Sequence, residues 1–282
     1  ILMVVALAKL LVPLAAWRRW TSALMIAIAQ AWISCNDAIF SLMGVLRLEV
    51  DGVEGLDPRG WYLVLSNHRS WVDILVLQKA FNRRIPFLKF FLKQELIWVP
   101  FLGLAWWALD FPFMKRHSAT YLQKHPEARG EDLDATRKAC ERFALLPTSV
   151  MNFVEGTRFT AAKHSASKSP YRHLLRPRPG GVAFVLSAMG GMLHSVLDVT
   201  IAYSEPSPTL WDLCCGRVGP VRMHVLRRPI EPWVAQGDDA ADSRLRARCK
   251  ERLGGPPTEQ DARRDTMLPG RGPDPAAGDA PQ

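Results

Sequence analysis

Residues 61–73 read WYLVLSNHRSWVD, and the pattern of this stretch predicts the fold class of the chain. Its first part, residues 61–66, is a compact apolar run with the length and composition of a strand buried on both faces. Residues 70–80 have the apolar spacing of a helix, and Ser70 stands where a helix cap is expected. A buried strand that runs almost directly into a helix predicts one unit of an α/β domain, with the polar residues between them at the carboxyl end of the strand.

The rest of the chain continues this alternation of strand-like and helix-like stretches. Further strands, some with their turns, are predicted at residues 47–56, 84–92, 110–114, 148–154, 195–203 and 217–227. Further helices are predicted at residues 131–146 and 180–189, the first of them amphipathic with acidic residues in its first turn. Elements of this size in alternation predict an α/β fold around one sheet.

The two ends of the chain differ from its middle. Residues 1–46 are mostly apolar, and Arg18 and Arg19 stand between two tryptophans, as at the cytoplasmic edge of a membrane anchor. We expect membrane-associated helices there and an α/β domain over residues 47–253. Residues 254–282 are rich in Pro, Gly and charge and have no apolar periodicity, so we expect a disordered tail.

The charge of the chain limits its partners. Lys and Arg number 36 against 27 Asp and Glu, a formal net charge of +9, which attracts anionic lipid, a phosphorylated substrate or nucleic acid. Ten Trp and twelve Phe favour a membrane surface, and the sequence has no nucleic-acid motif, so we expect no nucleic-acid partner. Neither the five Cys nor the seven His have the spacing of metal ligands, and no metal is expected.

His68 and Asp73 are the candidate catalytic residues. His68 follows the predicted strand, where an imidazole can act as a general base near neutral pH. Asp73 lies in the first turns of the predicted helix, from which its carboxylate can return to the imidazole, fix its tautomer and stabilise its charged form. This spacing alone is a weak signal, because a capped helix start with His68 as an ordinary loop residue is more common.

Residues 153–160, FVEGTRFT, also follow a predicted strand and contain groups suited to a phosphate. Gly156 permits a close approach of the backbone to a ligand. Thr157 offers a hydroxyl, and Arg158 a planar guanidinium that matches a phosphate. An ordinary turn with an exposed Arg has the same sequence pattern, so this stretch alone does not assign a site.

A pair of adjacent cations, Lys115 and Arg116, ends the predicted strand of residues 110–114. Two cations at the end of a strand can grip a phosphate. A solvated basic end is an equally good interpretation of this pair taken by itself.

These three blocks together carry a resemblance to a known family. NHRSWVD, FMKR and FVEGTR, in this order and at these separations, resemble motifs one to three of the glycerolipid (1-acylglycerol-3-phosphate type) acyltransferase superfamily. The stretch FLKQELIWVPFLGLAWWALDFPFMKR, followed by FVEGTRFT, is similar to the lysocardiolipin acyltransferase-like branch. The resemblance covers about residues 1–250. It implies an α/β fold with a single mixed sheet flanked by helices and an N-terminal hydrophobic helical membrane anchor.

The resemblance also implies a role for each candidate residue. His68 is the general base and Asp73 its partner. Arg116 contacts the phosphate of the acceptor, with Lys115 as the weaker candidate. The other substrate-binding positions, at the glycerol-phosphate end, are Asn67, Glu155, Gly156, Thr157 and Arg158.

The implied reaction moves a fatty acyl chain from acyl-CoA or acyl carrier protein to the free hydroxyl of a lysophospholipid, either lysophosphatidic acid or a related lipid. No cofactor other than the donor is expected. Backbone N–H groups after Asn67 are the expected donors to the tetrahedral oxyanion. The implied location is a bacterial inner membrane, with the site facing the cytoplasm and membrane lipid as a partner.

Two other functions stay open at this point. A thioesterase or lipid hydrolase on the same scaffold would use Ser70 near His68, although the sequence lacks a GxSxG nucleophile elbow. Accumulation of free fatty acid instead of acylated lipid distinguishes this function. A non-catalytic membrane adaptor would use the basic surface and the apolar N-terminus, but it has no need for the full set of His68, Asp73, Glu155 and Arg158.

Overall fold

The computed structural model describes residues 2–11, 14–111, 113–114, 146–189, 191–204, 207–230 and 259–267. In these ranges a six-stranded mixed sheet has the strand order β1-β8-β7-β2-β6-β3, and β4 and β5 form a separate two-stranded sheet. The strands are β1 (Leu48–Asp51), β2 (Tyr62–Ser66), β3 (Leu88–Phe90), β4 (Leu92–Lys93), β5 (Phe113–Met114), β6 (Ser149–Phe153), β7 (Ser195–Tyr203) and β8 (Val221–Pro229).

Helices surround this sheet and precede it in the chain. They are α1 (Leu2–Leu11), α2 (Ala15–Leu42), α3 (Val72–Phe81), α4 (Leu102–Ala108), α5 (Ala161–Ser167), α6 (Pro179–Met189), α7 (Leu210–Cys214) and α8 (residues 259–267), with a 3-10 helix at Gln94–Trp98.

The central strand β2 places the candidate site at one edge of the sheet. It pairs in parallel with β6 and with β7, so that Ser66 lies opposite both Phe153 and Val199. Because the carboxyl ends of parallel strands meet at one edge, the loops that follow β2 and β6 become neighbours. On the other side, β8 runs antiparallel to β7 and parallel to the edge strand β1.

Burial on both faces explains the unbroken apolar run of β2, all of whose residues are buried. Tyr62 and Val64 belong to the core cluster that includes α3. Leu63 and Leu65 belong to the opposite cluster, which includes α6. The sheet therefore forms the middle layer between two groups of helices.

The N-terminal helices α1 and α2 pack on each other and against the domain. Lys9 forms an ion pair with Asp110 at 2.5 Å, and the Asn82 amide donates to Ser34 Oγ at 2.9 Å. Ala15–Leu42, with 28 residues, is by length and composition long and apolar enough to cross a membrane. Large apolar side chains on α2, such as Trp32, stay exposed. The prediction of hydrophobic helices at the N-terminus is confirmed, with α2 as the candidate to cross a membrane.

Most elements lie where the sequence pattern predicts them, including β2, α3, β6, α6 and β7. The amphipathic helix predicted at residues 131–146 lies outside the described residues, except for its last residue.

The structure differs from the sequence-based prediction at α8, which lies within the tail that we expected to be disordered. Residues 259–267 form a helix on the sheet, with Gln260 and Arg264 buried. Polar side chains hold this helix in place: the Arg263 guanidinium donates to the buried Asp198 carboxylate at 2.6 Å. Apolar periodicity could not predict it, because a helix held by polar groups does not need an apolar stripe.

Candidate active site

His68 and Asp73 form a hydrogen-bonded pair at the carboxyl edge of the sheet. His68 Nδ1 and Asp73 Oδ2 are 2.8 Å apart. The His68 side chain is 14 % exposed and the Asp73 side chain 1 %, so that the imidazole reaches solvent and the carboxylate does not. β2 delivers His68 and the first turn of α3 delivers Asp73, as the sequence predicts.

The buried Asp73 carboxylate is held by three donors besides His68. Its Oδ2 accepts the backbone N–H groups of Arg69 at 2.7 Å and Ser70 at 2.9 Å. Its Oδ1 accepts the Tyr203 hydroxyl from β7 at 2.6 Å. Burial and the neighbouring carboxylate raise the pKa of Tyr203 well above its usual value, so that the phenol stays a donor. These donors stabilise an ionised Asp73 in a buried place.

The environment of His68 selects one tautomer. An ionised carboxylate only accepts hydrogen bonds, so Nδ1 carries the proton and donates it to Asp73. This leaves the lone pair of Nε2 free to take a proton from a substrate. The ring also stacks on Phe153, with the ring centroids 3.8 Å apart and the planes 12° apart. The orientation of the imidazole is therefore fixed by Asp73 and by Phe153.

Glu155 binds protein backbone, and the substrate-binding role that we expected for it stays a prediction. It is buried, its Oε1 accepts the His68 N–H at 2.8 Å, and its Oε2 accepts the Leu175 N–H at 2.8 Å. Burial raises the pKa of the Glu155 carboxyl to about 7, although the two backbone N–H groups oppose this rise. Glu155 thus connects the loop that carries His68 to the loop that carries Leu175.

Asn67 is likewise hydrogen-bonded to backbone within the protein. Its buried amide donates to the Ile201 carbonyl at 2.9 Å and accepts the Ile201 N–H at 2.8 Å. Both polar atoms of its side chain are bound to β7, and the expected substrate contact of Asn67 stays a prediction. Asn67 joins the end of β2 to the neighbouring strand.

Four of the expected oxyanion donors are also hydrogen-bonded to side chains. The N–H groups of His68, Arg69 and Ser70 donate to Glu155 or Asp73, and the Val72 N–H donates to Ser70 Oγ at 3.0 Å. These amides hold the loop in place, and they are not available to an oxyanion in this arrangement.

Ser70 is also committed to the fold. Its buried hydroxyl donates to the Pro208 carbonyl while it accepts the Val72 N–H. These two bonds engage the Ser70 hydroxyl with protein backbone, which disfavours the alternative in which Ser70 is a nucleophile activated by His68.

The loop of residues 156–158 lies beside the pair, with Gly156 and Arg158 exposed and Thr157 half-buried. Gly156 has φ +69°, and a Cβ built there would lie 3.0 Å from Arg178 Cδ, so the Arg178 side chain lies across this glycine. The Arg158 guanidinium lies over the Trp71 ring, 5.1 Å from its centroid. Lys163 Nζ donates to Thr157 Oγ1 at 2.8 Å. The three cations make this side of the site positive.

Two predicted phosphate ligands, Lys115 and Arg116, lie outside the described residues. The structure brings together His68, Asp73, Glu155 and the loop of residues 156–158. Sequence reasoning missed Tyr203, Lys163 and Arg178. Only the clustering of cations around FVEGTRFT signals the last two, and no local pattern signals Tyr203, which is 130 residues from Asp73.

A model of the acyltransferase family matches residues 47–204, more than half of the chain. The chain belongs to the acyltransferase family. The match begins just before β1 and ends just after β7, so it includes both the His68–Asp73 pair and the loop of residues 156–158.

Curated relatives of this acyltransferase family member include two 1-acyl-sn-glycerol-3-phosphate acyltransferases. The gamma enzyme of Mus musculus is 29% identical over 192 residues, which cover 64% of this chain and 48% of the mouse protein. Enzyme 3 of Arabidopsis thaliana is 28% identical over 195 residues, with the same coverage of 64% and 48%. The chain spans about half the length of these relatives.

Among solved structures, the chain is similar to the 1-acyl-sn-glycerophosphate (LPA) acyltransferase PlsC from Thermotoga maritima. The TM-score is 0.51 at 17% identity, and the match covers 92% of this chain and 87% of the other. This likeness confirms the predicted fold. The lysocardiolipin acyltransferase-like branch stays a prediction.

Proposed function

We propose that the protein transfers a fatty acyl chain from acyl-CoA or acyl carrier protein to the free hydroxyl of a lysophospholipid, either lysophosphatidic acid or a related lipid. The observation that carries this proposal is the His68–Asp73 pair. The buried Asp73 carboxylate, 2.8 Å from His68 Nδ1, orients an imidazole that reaches solvent. The names of the curated relatives support the acceptor class.

In the proposed reaction, His68 Nε2 removes the proton of the acceptor hydroxyl while its oxygen attacks the thioester carbonyl. A C–O bond forms and, on collapse of the tetrahedral intermediate, the C–S bond breaks. The imidazolium returns its proton to the departing thiolate, so that His68 ends neutral. Asp73 stabilises the positive imidazolium between these steps and prevents rotation of the ring.

The loop of residues 156–158 is proposed to receive the phosphate end of the acceptor. Arg158 is exposed beside Trp71 and supplies a planar guanidinium, and Arg116 is retained as a second phosphate ligand from the sequence motif. Lys163 and Arg178 add positive charge to the same side. An acceptor with a negatively charged head group is therefore favoured over a neutral alcohol.

We also propose that the protein works at a bacterial inner membrane, with its site facing the cytoplasm. Acyl-CoA and acyl carrier protein are found there, and Arg18 and Arg19 near the start of α2 match the excess of cations on the cytoplasmic side. Neither a metal nor a resident cofactor is part of the proposed mechanism, and no nucleic-acid partner is proposed.

The experiment that tests this function is a lipid mass profile. Purified protein in detergent is incubated with lysophosphatidic acid and an acyl-CoA, and acylated lipid, free CoA and free fatty acid are measured together. Equal amounts of acylated lipid and free CoA are expected. Free fatty acid in place of acylated lipid would support a hydrolase, and release of neither product would leave a membrane adaptor.

A further inference from the structure

Helix α8 contacts a loop that reaches into the site. Asp261 accepts two backbone N–H groups of this loop, those of Arg172 and His173, each at 2.7 Å. Asp265 accepts from the His173 ring, with Oδ1 2.7 Å from Nε2. Two carboxylates, one helical turn apart, thus hold two successive loop residues. Hydrogen bonds to ionised carboxylates are stronger than neutral ones.

The same loop holds two side chains of the site. The His173 carbonyl accepts from the Arg69 guanidinium at 3.3 Å, and the Leu175 N–H donates to Glu155 at 2.8 Å. Glu155 in turn accepts the N–H of His68 at 2.8 Å. Hydrogen bonds therefore connect α8 to residues 172 and 173, the chain continues to Leu175, and hydrogen bonds through Glu155 lead on to the backbone of His68.

The opposite side of α8 is fixed to the sheet, so the helix is a firm base for this series. Arg263 donates to Asp198 on β7 at 2.6 Å, and the buried Gln260 amide bonds Asp198 and the Val199 carbonyl. On β8, Arg228 bonds both Asp198 and Glu259. Because Asp198 is fully buried, its charge needs these partners, which ties the helix to β7 and β8.

We propose that α8 positions the active site: Asp261 and Asp265 hold the loop of residues 172–175 where it fixes Glu155, and through Glu155 the backbone of His68. Asp261 and Asp265 are positioning residues that touch no substrate. This inference rests on the proposed function of His68 as the base. It assigns a role in the reaction to a segment beyond residues 47–204, the part that the family model matches.

The proposal is tested by a double-mutant cycle in the full chain between Asp261→Ala and Glu155→Gln. Transfer from an acyl-CoA to lysophosphatidic acid is the assay, with kcat and both KM values measured. Asp261→Ala is expected to lower kcat about tenfold, since small misplacement of a catalytic group has a large effect on rate. In the Glu155→Gln background the same substitution should change kcat by less than about twofold, because the connection through Glu155 to the backbone of His68 is already disrupted.

The matched control is Thr266→Ala on the same helix, whose exposed hydroxyl donates to the Arg263 carbonyl within the helix at 2.7 Å. Its kcat should stay within about twofold of the wild type. If Asp261→Ala fails to fold, Asp261→Asn replaces it, since the amide keeps one acceptor oxygen but loses the charge. Equal losses from Asp261→Ala in both backgrounds would overturn the proposal, because the helix would then act on stability alone.

Amide hydrogen exchange of Leu175 gives a second measurement that does not depend on activity. Its exchange should accelerate in Asp261→Ala, even though the Leu175 N–H donates to Glu155 and not to Asp261, while Thr266→Ala leaves it unchanged. An unchanged Leu175 amide in Asp261→Ala would overturn the proposal. A wild-type protein that transfers no acyl chain would instead defeat the proposed function, and the exchange of Leu175 would still decide whether α8 holds the loop.

Discussion

The His68–Asp73 pair and the loop of residues 156–158 lie side by side but are built in opposite ways. Asp73 is buried and accepts four hydrogen bonds, from the ring of His68, two backbone amides and Tyr203. Gly156 and Arg158 are exposed, and the Arg158 guanidinium rests on an exposed Trp71. The half of the site that we propose to move protons is thus fixed before substrate arrives, whereas the half proposed to bind the phosphate can adapt to it.

Substitution of Asp73, in the fixed half of the site, should have the largest effect on kcat. Asp73→Asn places an NH2 group among donors, so the His68 tautomer and ring orientation are lost. We expect kcat to fall by about a thousand- to ten-thousandfold in the acyl-transfer assay. Asp212→Asn, in an exposed helix cap, is the matched control and should leave kcat unchanged. A kcat for Asp73→Asn within tenfold of the wild type would contradict a preorganised pair.

Substitution of Arg158 tests the adaptable half. Arg158→Ala removes one charge-assisted contact to the phosphate, so the acceptor KM should rise about ten- to hundredfold with a smaller change in kcat. Arg176→Ala is the control, because Arg176 is exposed nearby and its guanidinium is bound to the Lys168 carbonyl. A rise in the KM of the acyl donor alone would show that Arg158 lies at the wrong end of the substrate site.

The sequence predicts the fixed half better than the connections behind it. The apolar runs of β2 and β6 define buried strands, and their shared edge brings His68 close to residues 153–160. Asn67 and Glu155 are polar residues at the same edge, yet they turn inward. Asn67 meets Ile201, 134 residues away in the chain, and periodicity contains no information about such a partner. The same limit applies to α8, whose contacts are polar.

Glu155 connects the two halves, and its titration should make stability depend on pH. Burial raises its pKa to about 7, above the ordinary value of 4.5. The folded state therefore binds this proton more tightly than the unfolded chain. The stability that protonated Glu155 contributes is fully present below the pKa of the unfolded chain and is lost as the pH rises through about 7. The free energy of unfolding, relative to that of Glu155→Gln, should fall by roughly 2 kcal/mol between pH 5 and pH 7.5.

Denaturant unfolding in detergent at these two pH values measures this difference. Glu155→Gln is the reference because its side chain does not titrate. If the free energy of unfolding of the wild type, minus that of Glu155→Gln, stays constant or rises with pH, the Glu155 carboxyl does not have a raised pKa.

The smallest effect is expected at Tyr203, which supports Asp73 from β7. Tyr203→Phe removes one hydrogen bond to a buried carboxylate and should lower the free energy of unfolding by about 1.5 kcal/mol, with a few-fold loss of kcat. Tyr171→Phe, on a half-buried loop, should change neither quantity. Full activity and stability in Tyr203→Phe would show that the remaining donors suffice to fix Asp73.

His68 is proposed as the base that activates a lipid hydroxyl. The most direct measurement compares His68→Ala with His194→Ala, an exposed histidine near the start of β7, in the same assay for acylated lipid. Loss of a general base predicts that His68→Ala forms product about a hundred- to ten-thousandfold more slowly than the wild type, whereas His194→Ala matches the wild type. Near-normal transfer by a folded His68→Ala protein would contradict the account.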